Sequence, residues 1–126
     1  MTDEKTEFVV GEIKGELPHK CVVGMRDGKL TYVAGSEYDR LGRGERLHSD
    51  IAKQFGVDAY GGSHVCFHEG NLRIIGMSGT YGGVPEDVLE KFDLLPRYQA
   101  IYPELKDAKL EIFESCISDY KWKNFR

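Results

Sequence analysis

The sequence predicts an α+β domain, a single mixed or mostly antiparallel sheet with two short helices against it. Two tight-turn signatures between apolar runs predict hairpins, and two further segments carry helical signals. A doubly wound parallel sheet needs a helical crossover for each parallel pair, more than this chain offers.

The elements follow in order. Residues 1–7 are polar and expected to be loose, and residues 8–10 (FVV) read as the start of a first strand ended by Gly11. Residues 20–25 (KCVVGM) and 30–34 (LTYVA) read as a hairpin around Arg26-Asp27-Gly28-Lys29, whose Asp-Gly pair suits a two-residue turn. Residues 35–44 hold three glycines without an apolar period and read as a loop. Over residues 45–55, Leu47, Ile51 and Phe55 recur every four positions, which predicts an amphipathic helix closed by Gly56.

Residues 63–67 and 72–75 flank His68-Glu69-Gly70-Asn71 and read as a second hairpin. Pro85 near a first helical position, with Glu86 and Asp87 behind it, predicts a second helix running to Phe92. Residues 98–105 carry bulky aromatics and Pro103 without a clear period, whereas residues 109–113 (KLEIF) alternate as a half-buried strand does. The segment 118–126 is expected to be loose, or to pack on its own domain or a partner. Its aromatic and basic residues, Tyr120 to Arg126, offer single-strand base stacking as a weaker alternative.

With 126 residues the chain suits one domain, 1–126. Seventeen basic residues against 21 acidic ones give a net charge of -4, so no basic field exists to hold a duplex and nucleic acid is an unlikely partner. Cys21, Cys66 and Cys116 are odd in number and contain no CxxC pair. They read as reduced, buried thiols of a cytoplasmic protein, not as a disulfide framework or a metal site. The opening MTDEKTEFVV does not fit a basic-then-apolar signal peptide, and no apolar run is long enough to span a membrane.

Residues 76–83 (GMSGTYGG) are the most informative stretch, with four glycines, a serine and a threonine between a strand end and a helix start. Glycines let several backbone N–H groups converge, and the Ser78 and Thr80 hydroxyls add donors, a combination that suits phosphate or carboxylate. The alternative is an ordinary strand-to-helix connection. No Lys-Ser/Thr pair follows the last glycine, so this is not a Walker A loop. Glu86 and Asp87 already complement the helix dipole, which places an anion at residues 78–82 and not on the helix end.

His48 falls beside the apolar stripe, on the border of the buried face, where a half-shielded imidazole suits a nucleophile or general base. A packing or surface histidine is the alternative. Asp50, two residues on, points elsewhere on a helix, while Glu45 at i-3 can reach the ring. His64 and His68 have a helical metal-pair spacing, but in a strand they lie about 13 Å apart. No metal and no other cofactor is therefore expected. His19, after Pro18, reads as a loop residue, and Arg40, Arg43 and Arg46 read either as a solvated cluster or as forks for an anionic substrate.

Three of these segments together resemble the Janus/Ocnus family of small protein histidine phosphatases. GMSGTYG at 76–82 is similar to the family's GYSMAYG, HSDI at 48–51 to its HADI, and KCVVGM at 20–25 to its KYVLIRV, in the same order. The resemblance spans roughly residues 20–114 in layout and about fifteen positions in identity. It implies a protein histidine phosphatase-like fold and a metal-independent phosphohydrolase acting on phosphorylated protein side chains, phosphohistidine among the candidates. His48 would be catalytic, Lys20 would contact the phosphoryl group, and Ser78 with Gly79, Thr80, Tyr81 and Gly82 would form the cradle. Arg40, eight residues before His48 as an arginine is in the family, would contact substrate. A non-catalytic module holding a small anionic ligand or a protein on the same fold is the competing expectation.

Overall fold

The computed structural model describes residues 6–11, 19–36, 47–117 and 119–125. Strand β1 is Thr6–Val10, β2 His19–Arg26, β3 Lys29–Ser36, β4 Asp58–His68, β5 Asn71–Ile75 and β6 Leu110–Ile112. They form one mixed sheet in the order β1-β3-β2-β4-β5-β6, with parallel pairs only at its two edges, β1 on β3 and β5 on β6. The four central strands are antiparallel neighbours.

The two hairpins form where their turns demand it. Asp27 and Gly28 take φ of 53° and 76°, and Glu69 and Gly70 take 49° and 82°, the left-handed pairs that match strand twist in a two-residue turn. Register then follows: Cys21 faces Ala34 across β2–β3, and Val65 faces Ile74 across β4–β5.

Helix α1 is His48–Phe55, α2 Glu86–Leu89, α3 Leu94–Ile101 and α4 Asp119–Trp122, with 3₁₀ turns at Glu90–Phe92 and Pro103–Leu105. The two expected helices are present, and the described residues hold two more. Pro96 and the aromatics hide α3 from a periodicity reading. Pro96 occupies the first turn, where its missing N–H has no helical acceptor to lose, and Leu94 and Tyr98 supply the buried face. Of the two readings of the C-terminal segment, loose or packed on its own domain or a partner, residues 119–125 follow packing on the domain: Trp122 is fully buried with its ring edge-on to Tyr60 at 5.6 Å. Truncating a side chain of that size in a core costs about 3–5 kcal/mol.

Each face of the sheet carries a core. Cys21, Val23, Tyr32, Val65 and Ile74 point to one side, under Val88, Leu89, Phe92, Leu94 and Tyr98. Val22 and Val33 point to the other, under Ile51 and Ala52 of α1. The strict alternation along β2 thus puts Lys20 and Val22 on the α1 face, and His19 and Cys21 on the larger core.

His19 is not a loop residue: it opens β2, is 1% exposed, and its Nε2 lies 2.9 Å from Tyr98 Oη. Tyr98 is bonded in turn to Tyr32 at 2.6 Å. Burial raises both phenols and pushes the Cys21 thiol up to about 11, so the two tyrosines stay protonated and the thiol is unreactive at neutral pH. Of the three cysteines only Cys21 is buried; Cys66 is half-buried and Cys116 exposed. Among the described residues no helix is long and apolar enough to cross a membrane.

Candidate functional site

Helix α1 starts later than its stripe suggests. Leu47 is the extended N-cap (φ -85°, ψ 159°) and is 58% exposed, and the buried face is His48, Ile51 and Ala52 with Phe55 packed beside it. Of the expected stripe, Ile51 and Phe55 lie on the packed face and Leu47 does not, because it precedes the helix. Asp50 closes the first turn by accepting the Leu47 N–H at 2.9 Å, which fixes the start of the helix and with it the ring that follows. His48 is consequently not a border residue. It is 6% exposed and points down onto the sheet.

The ring meets β4 at Gly62 and Ser63. His48 Nε2 lies 3.0 Å from the Ser63 carbonyl. A carbonyl only accepts, so Nε2 carries a proton and donates, and in the neutral ring Nδ1 holds the lone pair. Gly62 is where the ring rests: a Cβ there would come within 2.5 Å of His48 Cδ2. Only glycine lets the helix approach this strand so closely.

Gly62 also carries the glycine-rich loop. Strand β5 leaves β4 after Ile75 faces His64, and Gly76 turns the chain with φ 78°. Residues 78–82 then take the place of β5 beside the first half of β4. Gly62 N donates to Gly82 O at 3.0 Å, and Ser78 N donates to Gly62 O at 3.1 Å. An isolated antiparallel bridge between Ser78 and Gly82 closes the loop on itself. One residue thus has the histidine over its α-carbon and the loop on both of its backbone polar groups.

Within the loop, Ser78 turns inward. It is 2% exposed, and its Oγ accepts the Thr80 amide at 3.1 Å and the Tyr81 amide at 3.0 Å. The hydroxyl does for these two donors what a bound anion would do. Gly79 stands at the exposed tip, with open space around it and no acceptor for its amide among the described residues. Gly82 N is used by Ser78 O at 2.8 Å, and the Tyr81 side chain packs on the α1-face core.

Lys20 joins the same face from β2. It is 3% exposed and lies directly across from His64 of β4 in the strand register. His64 in turn meets His48 edge-to-face, ring centroids 5.2 Å apart, and lies under Gly76, whose added Cβ would be 3.0 Å from His64 Cδ2. The structure therefore brings His48 and the loop 78–82 together at Gly62, and sets Lys20 and His64 as a cross-strand pair farther along the same face. In the sequence His64 stands out only for its metal-pair spacing with His68. Its neighbours come instead from β2 and α1, a relation that strand spacing cannot reveal.

His68 lies at the far end of β4 with Nε2 3.5 Å from Glu69. Among the described residues no group of three histidines, cysteines or carboxylates is placed to hold a metal ion. Arg40, Arg43, Glu45 and Arg46 lie outside the described residues.

The chemistry available is that of two imidazoles and a lysine on a largely water-excluded sheet face, beside a backbone loop with one exposed donor and two held internally. A scan against family models gives no match, and no curated protein sequence matches the chain.

Proposed function

We propose that this domain is a metal-independent phosphohydrolase acting on phosphorylated protein side chains, phosphohistidine among them, on a protein histidine phosphatase-like arrangement of the α+β sheet. The observation that carries the reading is the double use of Gly62, which seats the His48 ring and both backbone contacts of the loop 78–82. Three segments picked out by their resemblance to the Janus/Ocnus motifs, far apart in sequence, supply groups to one sheet face.

In this reading the phosphoryl group lies at the loop, with Lys20 supplying positive charge where little water screens it. The Nδ1 lone pair of His48 either attacks phosphorus or takes a proton from an attacking water, while Nε2 stays anchored to Ser63 O. Thr80 and Tyr81 amides reach the anion by exchanging Ser78 Oγ for a phosphoryl oxygen. That exchange favours the anion, since bonds to a charged acceptor are roughly twice as strong as neutral ones.

The competing reading, a non-catalytic module binding an anion or a protein, draws on the low exposure of His48 and on the internal satisfaction of the loop amides. Hydrolysis of a phosphohistidine-bearing protein substrate in excess EDTA separates the two. The phosphohydrolase reading expects full turnover in chelator. Absence of turnover with and without added divalent metal leaves the binding module, and turnover that EDTA removes and metal restores contradicts the metal-independent mechanism.

A further inference from the structure

A concavity opens beside the loop. A cleft of about 530 Å³ lies between the start of β4 (Asp58, Ala59, Tyr60), the loop tip (Thr80, Tyr81) and the C-terminal turn (Tyr120, Lys121, Lys123, Asn124). Thr80 and Tyr81, whose amides donate to Ser78 Oγ, also line this cleft.

The cleft is built by the alternation of the C-terminal run. Trp122 points inward and is fully buried against Tyr60 and Phe125, so its neighbours Lys121 and Lys123 are held outward at the rim. Tyr120 is 79% exposed, and Lys123 Nζ sits 5.5 Å from the centre of its ring, which holds a cation and an apolar face together. Two lysines against one aspartate leave the cleft with a local positive excess on a chain of net charge -4.

We propose that this cleft binds the acidic peptide segment flanking the phosphorylated side chain, so that the loop takes the phosphoryl group and the cleft reads its neighbours. The proposal rests on the phosphohydrolase reading above. Carboxylates of the segment pair with Lys121 and Lys123, and one aromatic or aliphatic side chain lies among Tyr60, Tyr81 and Tyr120. A single-stranded nucleic acid fits less well. Stacking needs successive open ring faces, whereas Tyr60 is packed against Trp122 and Phe125, Tyr81 against the α1-face core, and Asp58 repels a phosphate backbone.

The test uses the full chain and two probes. A short fluorescent peptide with a stable phosphonate analogue of phosphohistidine, flanked by glutamates and one phenylalanine, reads the cleft by anisotropy. Inorganic phosphate, followed at the Gly79 amide by NMR, reads the loop. The double variant Lys121→Glu/Lys123→Glu changes only exposed positions, and it should weaken the peptide about tenfold or more at low salt while leaving phosphate at Gly79 unchanged. Tyr120→Ala should weaken the peptide several-fold. An unchanged peptide affinity in the double variant overturns the proposal, as does equal binding of a lysine-flanked peptide or stronger competition by a single-stranded oligonucleotide. If phosphate leaves Gly79 unmoved and the acidic peptide still depends on Lys121 and Lys123, the cleft stands and the phosphohydrolase reading falls. If phosphate moves Gly79 and charge reversal leaves the peptide unaffected, the cleft proposal falls alone.

Discussion

Replacing Gly62 with alanine should remove turnover and destabilise the domain in one step. The new Cβ would lie 2.5 Å from His48 Cδ2 and 3.1 Å from Cys21 O, in a strand paired on one side and covered by the loop on the other. Neither the strand nor the backbone of β2 can retreat cheaply, so the imidazole must swing away. Overpacking of this kind costs about 1–3 kcal/mol. The loss of activity should exceed what that instability explains, because the displaced ring gives up the bond from Nε2 to Ser63 O that sets its orientation. Gly79→Ala is the matched control: a Cβ there meets nothing within 4 Å, so thermal unfolding should be unchanged. Full activity and an unshifted unfolding midpoint in Gly62→Ala would show that His48 is not held by this contact.

His48→Ala should lower the turnover of a phosphohistidine substrate by about 10²–10⁴-fold, the usual span for a general acid–base group, and by more if the ring is the nucleophile. The variant should still bind inorganic phosphate at Gly79, since the loop's own bonds run through Gly62, Ser78 and Gly82 and not through the ring. Because His48 is buried, His48→Gln accompanies it: the amide can still donate to Ser63 O and fills much of the space. Equal loss in both variants with intact folding assigns the effect to the imidazole's chemistry. Turnover retained in either one removes His48 from the reaction.

Local turn chemistry made much of the fold legible. Asp27-Gly28 and the turn through Gly70 fix both hairpins because few residues accept their positive φ, and Gly56 ends α1 in the left-handed conformation a helix stop favours. The first half of β4 was illegible for a tertiary reason. The sequence pattern begins this strand at residue 63, yet Gly61 and Gly62 belong to it, where a side chain would strike Gly83 O and His48. The site divides the same way. His48, Lys20 and the loop stand out as residue types and as motifs, but the pairing of Lys20 with His64 depends on the β2–β4 register and its bulge after Val23, which no local pattern sets. Leu47 was the one misplaced member of the α1 stripe, because it looks apolar while its backbone is that of a cap.

A phosphate titration followed by NMR at the Gly79, Thr80 and Tyr81 amides and at all four histidines tests the central claim, that the loop and His48 form one site. Phosphate should shift the Gly79 amide first and then Thr80 and Tyr81 as Ser78 Oγ is displaced. The arriving negative charge favours the protonated imidazole, so the midpoints of His48 and His64 should rise. His19, on the opposite face of the sheet, and His68, at the far end of β4, should keep theirs. Movement of the loop amides with an unchanged His48 midpoint would contradict a shared site, and immobility of both would reduce residues 76–83 to a connection between β5 and α2.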